Sequence, residues 1–158
     1  MSRPSKPVSA SRTEHVQILT LDAINGYNRL FGGRLMEWID VVAAVVARRH
    51  SGMNVTTAYI DNLSFKAPAH ANDTVILSGH ITYAGKTSME ICVETFVENL
   101  NGTREQINKA YLIVVALDDN EHPAQVPEVV PETDDEKREY AEALKRRELR
   151  HMRKQENY

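Results

Sequence analysis

The chain has 158 residues, 42% of them apolar, which suffices for one core of ordinary density and leaves room for short appendages. Its 19 basic and 22 acidic side chains give a formal net charge of −3, so no global field draws it to nucleic acid or to an anionic membrane, and an anionic ligand must be met by local charge. The lone cysteine, Cys92, excludes an internal disulfide, and no apolar run approaches the roughly 20 residues that span a bilayer; both fit a protein of the reducing cytoplasm.

Residues 1–12 are mostly Pro, Ser and basic side chains and read as a disordered tail. Strand character begins with "EHVQILTL" at 14–21, and "DAINGYNRLFGG" then delivers the chain through an irregular loop into a helix. From Gly33 to His50 the positions Leu35, Ile39, Val42 and Val46 keep helical spacing, while Met36, Trp38, Val41, Ala43, Val45 and Ala47 fill the other faces, which predicts a helix buried on most sides. Four strands follow. "NVTTAYIDNLSFKAP" is β-branched and aromatic, with its alternation blurred near Ile60 and Asp61, where a bulge or bend is expected. "DTVILSGHITYAG" and "KTSMEICVETFVENLNGT" alternate apolar and polar residues, as strands with one dry and one wet face do; Glu90, Glu94 and Glu98 fall on the wet side. Asn101-Gly102 is a hairpin dipeptide, so the second of these should pair antiparallel with "NKAYLIVVALDD", which is apolar on both faces like a central strand.

One strand, one long helix and four strands joined by short turns form an α+β pair of layers, the helix covering a single antiparallel sheet. Beyond residue 120 the composition shifts. Three prolines mark a linker over 121–133, and residues 134–158 alternate charges around a thin apolar stripe of Tyr140, Leu144 and Leu149, as a solvated helix or tail packing lightly on the domain or a neighbour would. No function is assigned to that segment.

Asp40 is the only polar side chain between Trp38 and Ala47. It lies about two turns into the helix, too deep to cap it, and a buried carboxylate has to be paired or hold its proton. Two readings stand: a bland one, in which Asp40 pairs with Arg34 or Arg29 as structural glue or faces solvent through a gap, and a chemical one, in which it is a general base or nucleophile. Gly32 and Gly33 at the helix start would let a ligand reach backbone N–H groups that lack intrahelical partners, donors suited to a phosphate or an oxyanion.

The residues from Asn25 through "FGG" and "MEWID", then "FKAP" and "GKTSMEICVE", resemble in order and spacing the hotdog-fold acyl-CoA thioesterases, the acyl-CoA hydrolase family, over about residues 14–120. The resemblance implies a hotdog fold over 13–120, in which a curved antiparallel β-sheet wraps around one long central α-helix. It implies hydrolysis of fatty acyl-CoA to free acid and CoA, and homodimers assembling to hexamers, with CoA as part of the substrate and no cofactor or metal. It also implies a catalytic pair fifteen positions apart, Asn25 of one subunit and Asp40 of the other. Asp40 would activate water or attack the thioester itself, Asn25 would position the water or the carbonyl, and Gly32 and Gly33 would hold the oxyanion.

Lys66 of "FKAP" and Lys86, Thr87 and Ser88 of "GKTS" are the candidates for CoA, with Arg48 and Arg49 further ones that also suit the helix dipole. Asn28 has the wrong spacing to Asp40 to replace Asn25, and Tyr27 and Arg29 depart from what close relatives would carry there. The histidines lack metal-ligand spacing and receive no chemistry. A different class of function, a non-catalytic acyl-CoA-binding or regulatory module, keeps the fold and drops the pair. A dehydratase would need a histidine near the helix start, where none lies between residues 16 and 49.

Overall fold

The computed structural model describes residues 3–157, apart from the side chain of residue 62. The elements in chain order are β1 (Ser5–Pro7), β2 (Thr13–Ile18), α1 (Gly32–Ser51), β3 (Asn54–Phe65), β4 (Thr74–Ala84), β5 (Ser88–Glu98), β6 (Arg104–Leu117), β7 (Glu128–Val130) and α2 (Asp134–Gln155). Five strands form an antiparallel sheet in the order β2-β4-β5-β6-β3, and α1 packs along it, the hotdog arrangement.

The local reasons follow the side chains. One face of α1, with Leu35, Ile39, Val42, Ala43, Val46 and Ala47, is buried against Leu77, Ile91, Leu112 and Val114 of the sheet. Each such Leu, Ile or Val contributes on the order of 1.5–3 kcal/mol of transfer free energy. Gly52, at a left-handed φ of 70°, ends the helix with its N–H donating to the Arg48 carbonyl. Gly102 takes the left-handed position in the β5–β6 hairpin, and β6 lies inside the sheet between β5 and β3, both as expected. The register of β3 on β6 shifts between Thr57 and Tyr59 and again between Asp61 and Ser64, bracketing the expected bulge.

Four expectations are corrected. The helix is not buried on most sides within one chain: Met36, Glu37 and Val41 are exposed and Trp38 and Val45 half-buried, because the sheet curls past only part of its circumference. Residues 5–11 are not a disordered tail. β1 pairs in parallel with β7, drawing the proline-rich segment into a second small sheet, because Val8, Val126 and Val129 are buried in the core and Arg3 donates to the carbonyls of Val126 and Gly85.

The outer face of β4 and β5 is not wet, since α2 lies across it. A Cβ on Gly79 would meet Val42 and Val46 of α1, whereas the next residue, His80, bonds Glu139 of α2 at 2.6 Å, so the two helices occupy opposite faces. Finally, α2 docks through a polar seam and not through Leu144 and Leu149, which are exposed. Glu136, Ala143, Arg146 and Arg150 face inward: Glu136 pairs with Arg12, and the two arginines answer Glu90 and Asp61 on the strands beneath, which only charged or hydrogen-bonding partners satisfy.

Candidate active site

Asp40 stands on α1 at the border between its buried face and the exposed strip that carries Val41. Its Oδ1 accepts a 2.6 Å hydrogen bond from Thr57 Oγ1, on β3 beside the first register shift. A carboxylate accepting from a hydroxyl at that length is a charge-assisted bond. Among the described residues Oδ2 has no hydrogen bond or ion pair, which leaves it available to a water or an acyl carbon. The glue reading does not hold, since Arg34 reaches back to the Asp22 carbonyl at 3.5 Å and Arg29 lies in a separate cleft.

Asn25 is exposed in the loop before α1. Its Oδ1 accepts from the N–H groups of Tyr27 at 2.9 Å and Arg29 at 3.2 Å, its own N–H donates to the Arg29 carbonyl, and Asn28 takes a left-handed φ of 60°. An Asx turn of this kind gives Asn25 a structural use for one side-chain atom and leaves its Nδ2 as an outward-facing donor.

The same loop forms one wall of a cleft of about 300 Å³ lined by Asn25, Arg29, Leu35, Phe65, Lys66 and Ile107, among others. Lys66 is held there by its backbone, which donates to the Ile107 carbonyl, while its Nζ reaches Gln106 at 3.4 Å. Gly32 and Gly33 open α1 behind Phe31, which offers no side-chain cap, so their N–H groups have no intrahelical acceptor. A Cβ on Gly33 would stand 2.7 Å from the Phe31 ring, a steric reason for glycine besides any catalytic one.

Two groups of candidates therefore lie apart within one chain. Asn25 and Lys66 share the cleft; Asp40 does not line it, and no hydrogen bond joins Asp40 to Asn25. Lys86, Thr87 and Ser88 lie at the β4–β5 turn, at the end of the sheet level with Asp40, and Ser88, which opens β5, turns its side chain to the face that α2 covers. Thr57 pairs with Val114, which pairs with Met89 beside Ser88. Two strand spacings separate Thr57 from Met89, about 10 Å. Arg49 is committed to Arg12 and Thr13, while Arg48 lines an exposed hollow beyond the helix end.

His80, Cys92 and Glu94 bring possible ligand atoms within 4.8 Å of one another beneath α2. Burial holds the Cys92 thiol well above its ordinary pKa, so it stays protonated, and Glu139 occupies His80 Nε2. Sequence reasoning missed Thr57, because a threonine in a β-branched strand carries no local signal of function. It weighed Arg29 only as an ion-pair partner of Asp40 and a departure from relatives, whereas the loop turns it into the cleft.

A model of the thioesterase superfamily matches residues 27–102. An uncharacterised acyl-CoA thioester hydrolase of Bacillus subtilis, YkhA, is 39% identical over 153 residues, covering 96% of this chain and 86% of the relative. The chain belongs to the hotdog-fold acyl-CoA thioesterases. It is an enzyme of this acyl-CoA hydrolase family.

Among solved structures, the acyl-CoA hydrolase of Staphylococcus aureus in complex with butyryl-CoA, CoA and CoA disulfide superposes at a TM-score of 0.93 with 35% identity, over 98% of this chain and 94% of that one. An apo hexameric acyl-CoA thioesterase superposes at 0.92 with 38% identity, over 95% and 97% of the two chains. The S. aureus hydrolase has also been solved with one aspartate, one asparagine or one threonine replaced by alanine. No helix among the described residues of the present thioesterase is long and apolar enough to cross a membrane.

Proposed function

We propose that the enzyme hydrolyses fatty acyl-CoA thioesters with Asp40 as general base or nucleophile, Thr57 holding its carboxylate, and Asn25 supplied by a second copy of the chain. The observation that carries this reading is the Thr57–Asp40 bond, which presents one uncommitted carboxylate oxygen on an otherwise apolar helix while Asn25 sits elsewhere in the same chain. The aspartate, asparagine and threonine replaced in the S. aureus hydrolase are separated by 15 and 17 residues, the separations of Asn25, Asp40 and Thr57 here.

In the general-base route Asp40 Oδ2 takes a proton from water, the water oxygen bonds to the thioester carbon, and the negative charge on the carbonyl oxygen is met by Asn25 Nδ2 and the N–H groups of Gly32 and Gly33. Collapse breaks the C–S bond and the thiolate of CoA takes up the proton, leaving a free acid. In the nucleophilic route the same oxygen attacks first and water cleaves the resulting anhydride. Both routes balance without a cofactor or metal.

Lys66, Lys86, Thr87 and Ser88 hold CoA, with Arg29 beside Lys66. A homodimer, assembling further to a hexamer, completes each site. The exposed Met36 and Val41 next to Asp40, Phe31 at the start of α1 and Phe65 at the cleft are apolar surface of the kind an interface covers. The cytoplasm is where acyl-CoA and a free thiol coexist with such an enzyme.

The test is release of thiol from an acyl-CoA panel by wild type, Asp40→Asn, Thr57→Val and Asn25→Ala. Asp40→Asn is expected to lose about 10²–10⁴-fold in kcat. Mixing unfolded-and-refolded Asp40→Asn and Asn25→Ala chains should restore up to about a quarter of wild-type activity, because half the random dimers carry one intact hybrid site of two. No recovery would overturn the shared site. CoA binding without turnover by wild type would leave a binding module.

A further inference from the structure

The last three turns of α2 are far more basic than docking to the sheet requires. Residues 145–154, "KRRELRHMRK", hold six Lys and Arg against the single Glu148. Three of these cations are spent beneath the helix. Arg146 and Arg150 pair with Glu90 at 2.8 and 3.0 Å, and Arg153 pairs with Asp61 at 3.5 Å. Arg147 and Lys154 have no carboxylate partner among the described residues.

Positions 147, 150, 151 and 154 share one helix face, and that face forms a wall of a cavity of about 310 Å³ between α2 and β4–β5. Tyr83, Ser88 and Glu90 line the opposite wall. Glu90 is fully buried and already neutralised by its two arginines, so the charge left facing the cavity is that of Arg147 and Lys154, with His151 between them. Arg147 lies 5.7 Å over the Tyr83 ring, and the hydroxyls of Tyr83 and Ser88 have no side-chain acceptor among the described hydrogen bonds. The dipole of α2 suits cations at its end, which accounts for Lys154 but not for Arg147, two turns earlier. Guanidinium, ammonium and hydroxyl donors converging on a concave space of this size match the geometry of phosphate recognition.

We infer that this cavity binds a phosphorylated ligand through a diphosphate group, held by Arg147 and Lys154 with Ser88 and Tyr83, on the face of the sheet opposite Asp40. Two sources offer that chemistry: the nucleotide end of CoA, which Ser88 also borders, and a free nucleotide or diphosphate acting as an effector.

The experiment uses the full-length protein and inorganic pyrophosphate, titrated calorimetrically into wild type, the double variant Arg147→Gln/Lys154→Gln, and a control that removes the same charge outside the cavity, Lys137→Gln/Lys145→Gln. Wild type and control should bind alike, and the cavity variant about tenfold more weakly or not at all. Saturable binding is measured without turnover, so its outcome is independent of the catalytic reading. The source is then read from kinetics. A raised KM for acyl-CoA, but not for an acyl-pantetheine thioester, in the cavity variant identifies the substrate's own nucleotide. An unchanged KM in the cavity variant, with ADP binding to wild type and lost in that variant, identifies an effector. No pyrophosphate binding by wild type at millimolar concentration, or equal weakening in both variants, overturns the inference.

Discussion

Glu90→Gln tests how α2 is held. The Glu90 side chain is fully buried; Oε1 accepts from Thr82 Oγ1 and from Arg146 Nη2 at 2.8 Å, and Oε2 from Arg146 Nε at 3.2 Å and Arg150 Nη1 at 3.0 Å. The Arg146 guanidinium is further fixed 3.8 Å over the Tyr111 ring. Glutamine keeps the shape but turns one acceptor into an NH₂ facing a guanidinium, and it leaves two arginines with only Asp61 nearby, 3.9 Å from Arg150.

Removing one partner of a buried ion pair costs about 3–5 kcal/mol. Arg146 and Arg150 keep side-chain exposures of 15% and 16%, so water recovers part of the loss and the lower end applies, about 3 kcal/mol. For a chain of this size that is a fall in Tm of about 6–12 °C, measured at fixed chain concentration because assembly contributes to stability. Trypsin should cut α2 sooner in the variant, as the helix loses its main anchor. The paired variant Glu90→Leu/Arg146→Met should cost less than the sum of the two single changes, since Arg146 is no longer stranded and only Arg150 loses a partner, with Asp61 still 3.9 Å away. A Glu90→Gln protein melting within about 2 °C of wild type would refute the view that this ionic cluster, and not the thin apolar contact of Tyr140 and Ala143, holds the helix.

Two other changes report on the core and on pH. Gly79→Ala places a Cβ 2.7 Å from Val42 Cγ1 and 3.1 Å from Val46 Cγ2, between α1 and β4. It should cost about 1–3 kcal/mol by chemical denaturation, with most of the loss recovered when Val42→Ala is added. His50 is buried with Nε2 donating to the Pro127 carbonyl at 2.8 Å, and burial, which disfavours the imidazolium, lowers its pKa from 6.5. Below about pH 6.5 the unfolded chain therefore binds a proton that the folded chain refuses, and stability falls with pH. His50→Gln keeps a donor for Pro127 and should flatten the slope of urea midpoint against pH between about pH 7 and 5.5; an unchanged slope would place the acid sensitivity elsewhere.

Legibility in the sequence followed the range of the interaction. α1, the four strands after it and the Asn101-Gly102 hairpin were readable because periodicity and turn chemistry are set by residues a few positions apart. Asp40 was conspicuous for the same reason, as one carboxylate in an apolar run. Asn25 was found only through resemblance to a family, because its Asx turn is reason enough for an asparagine.

What the sequence alone could not provide were pairings across the fold. Residues 5–11 carry the composition of a tail, yet they order because Glu128–Val130, more than a hundred residues later, offers a strand edge. Thr57 became a candidate only when the bend of β3 set its hydroxyl against Asp40. Local charge alternation made α2 read as solvated and idle, but its arginines answer acids on β3 and β5, and that complementarity exists only once the sheet has formed. The chain's own sequence thus determined which elements form and which carboxylate is costly. The tertiary structure decided what holds that carboxylate, which face α2 covers, and that Asn25 and Asp40 do not meet within one chain, because each depends on groups distant in sequence that only the assembled sheet brings into register.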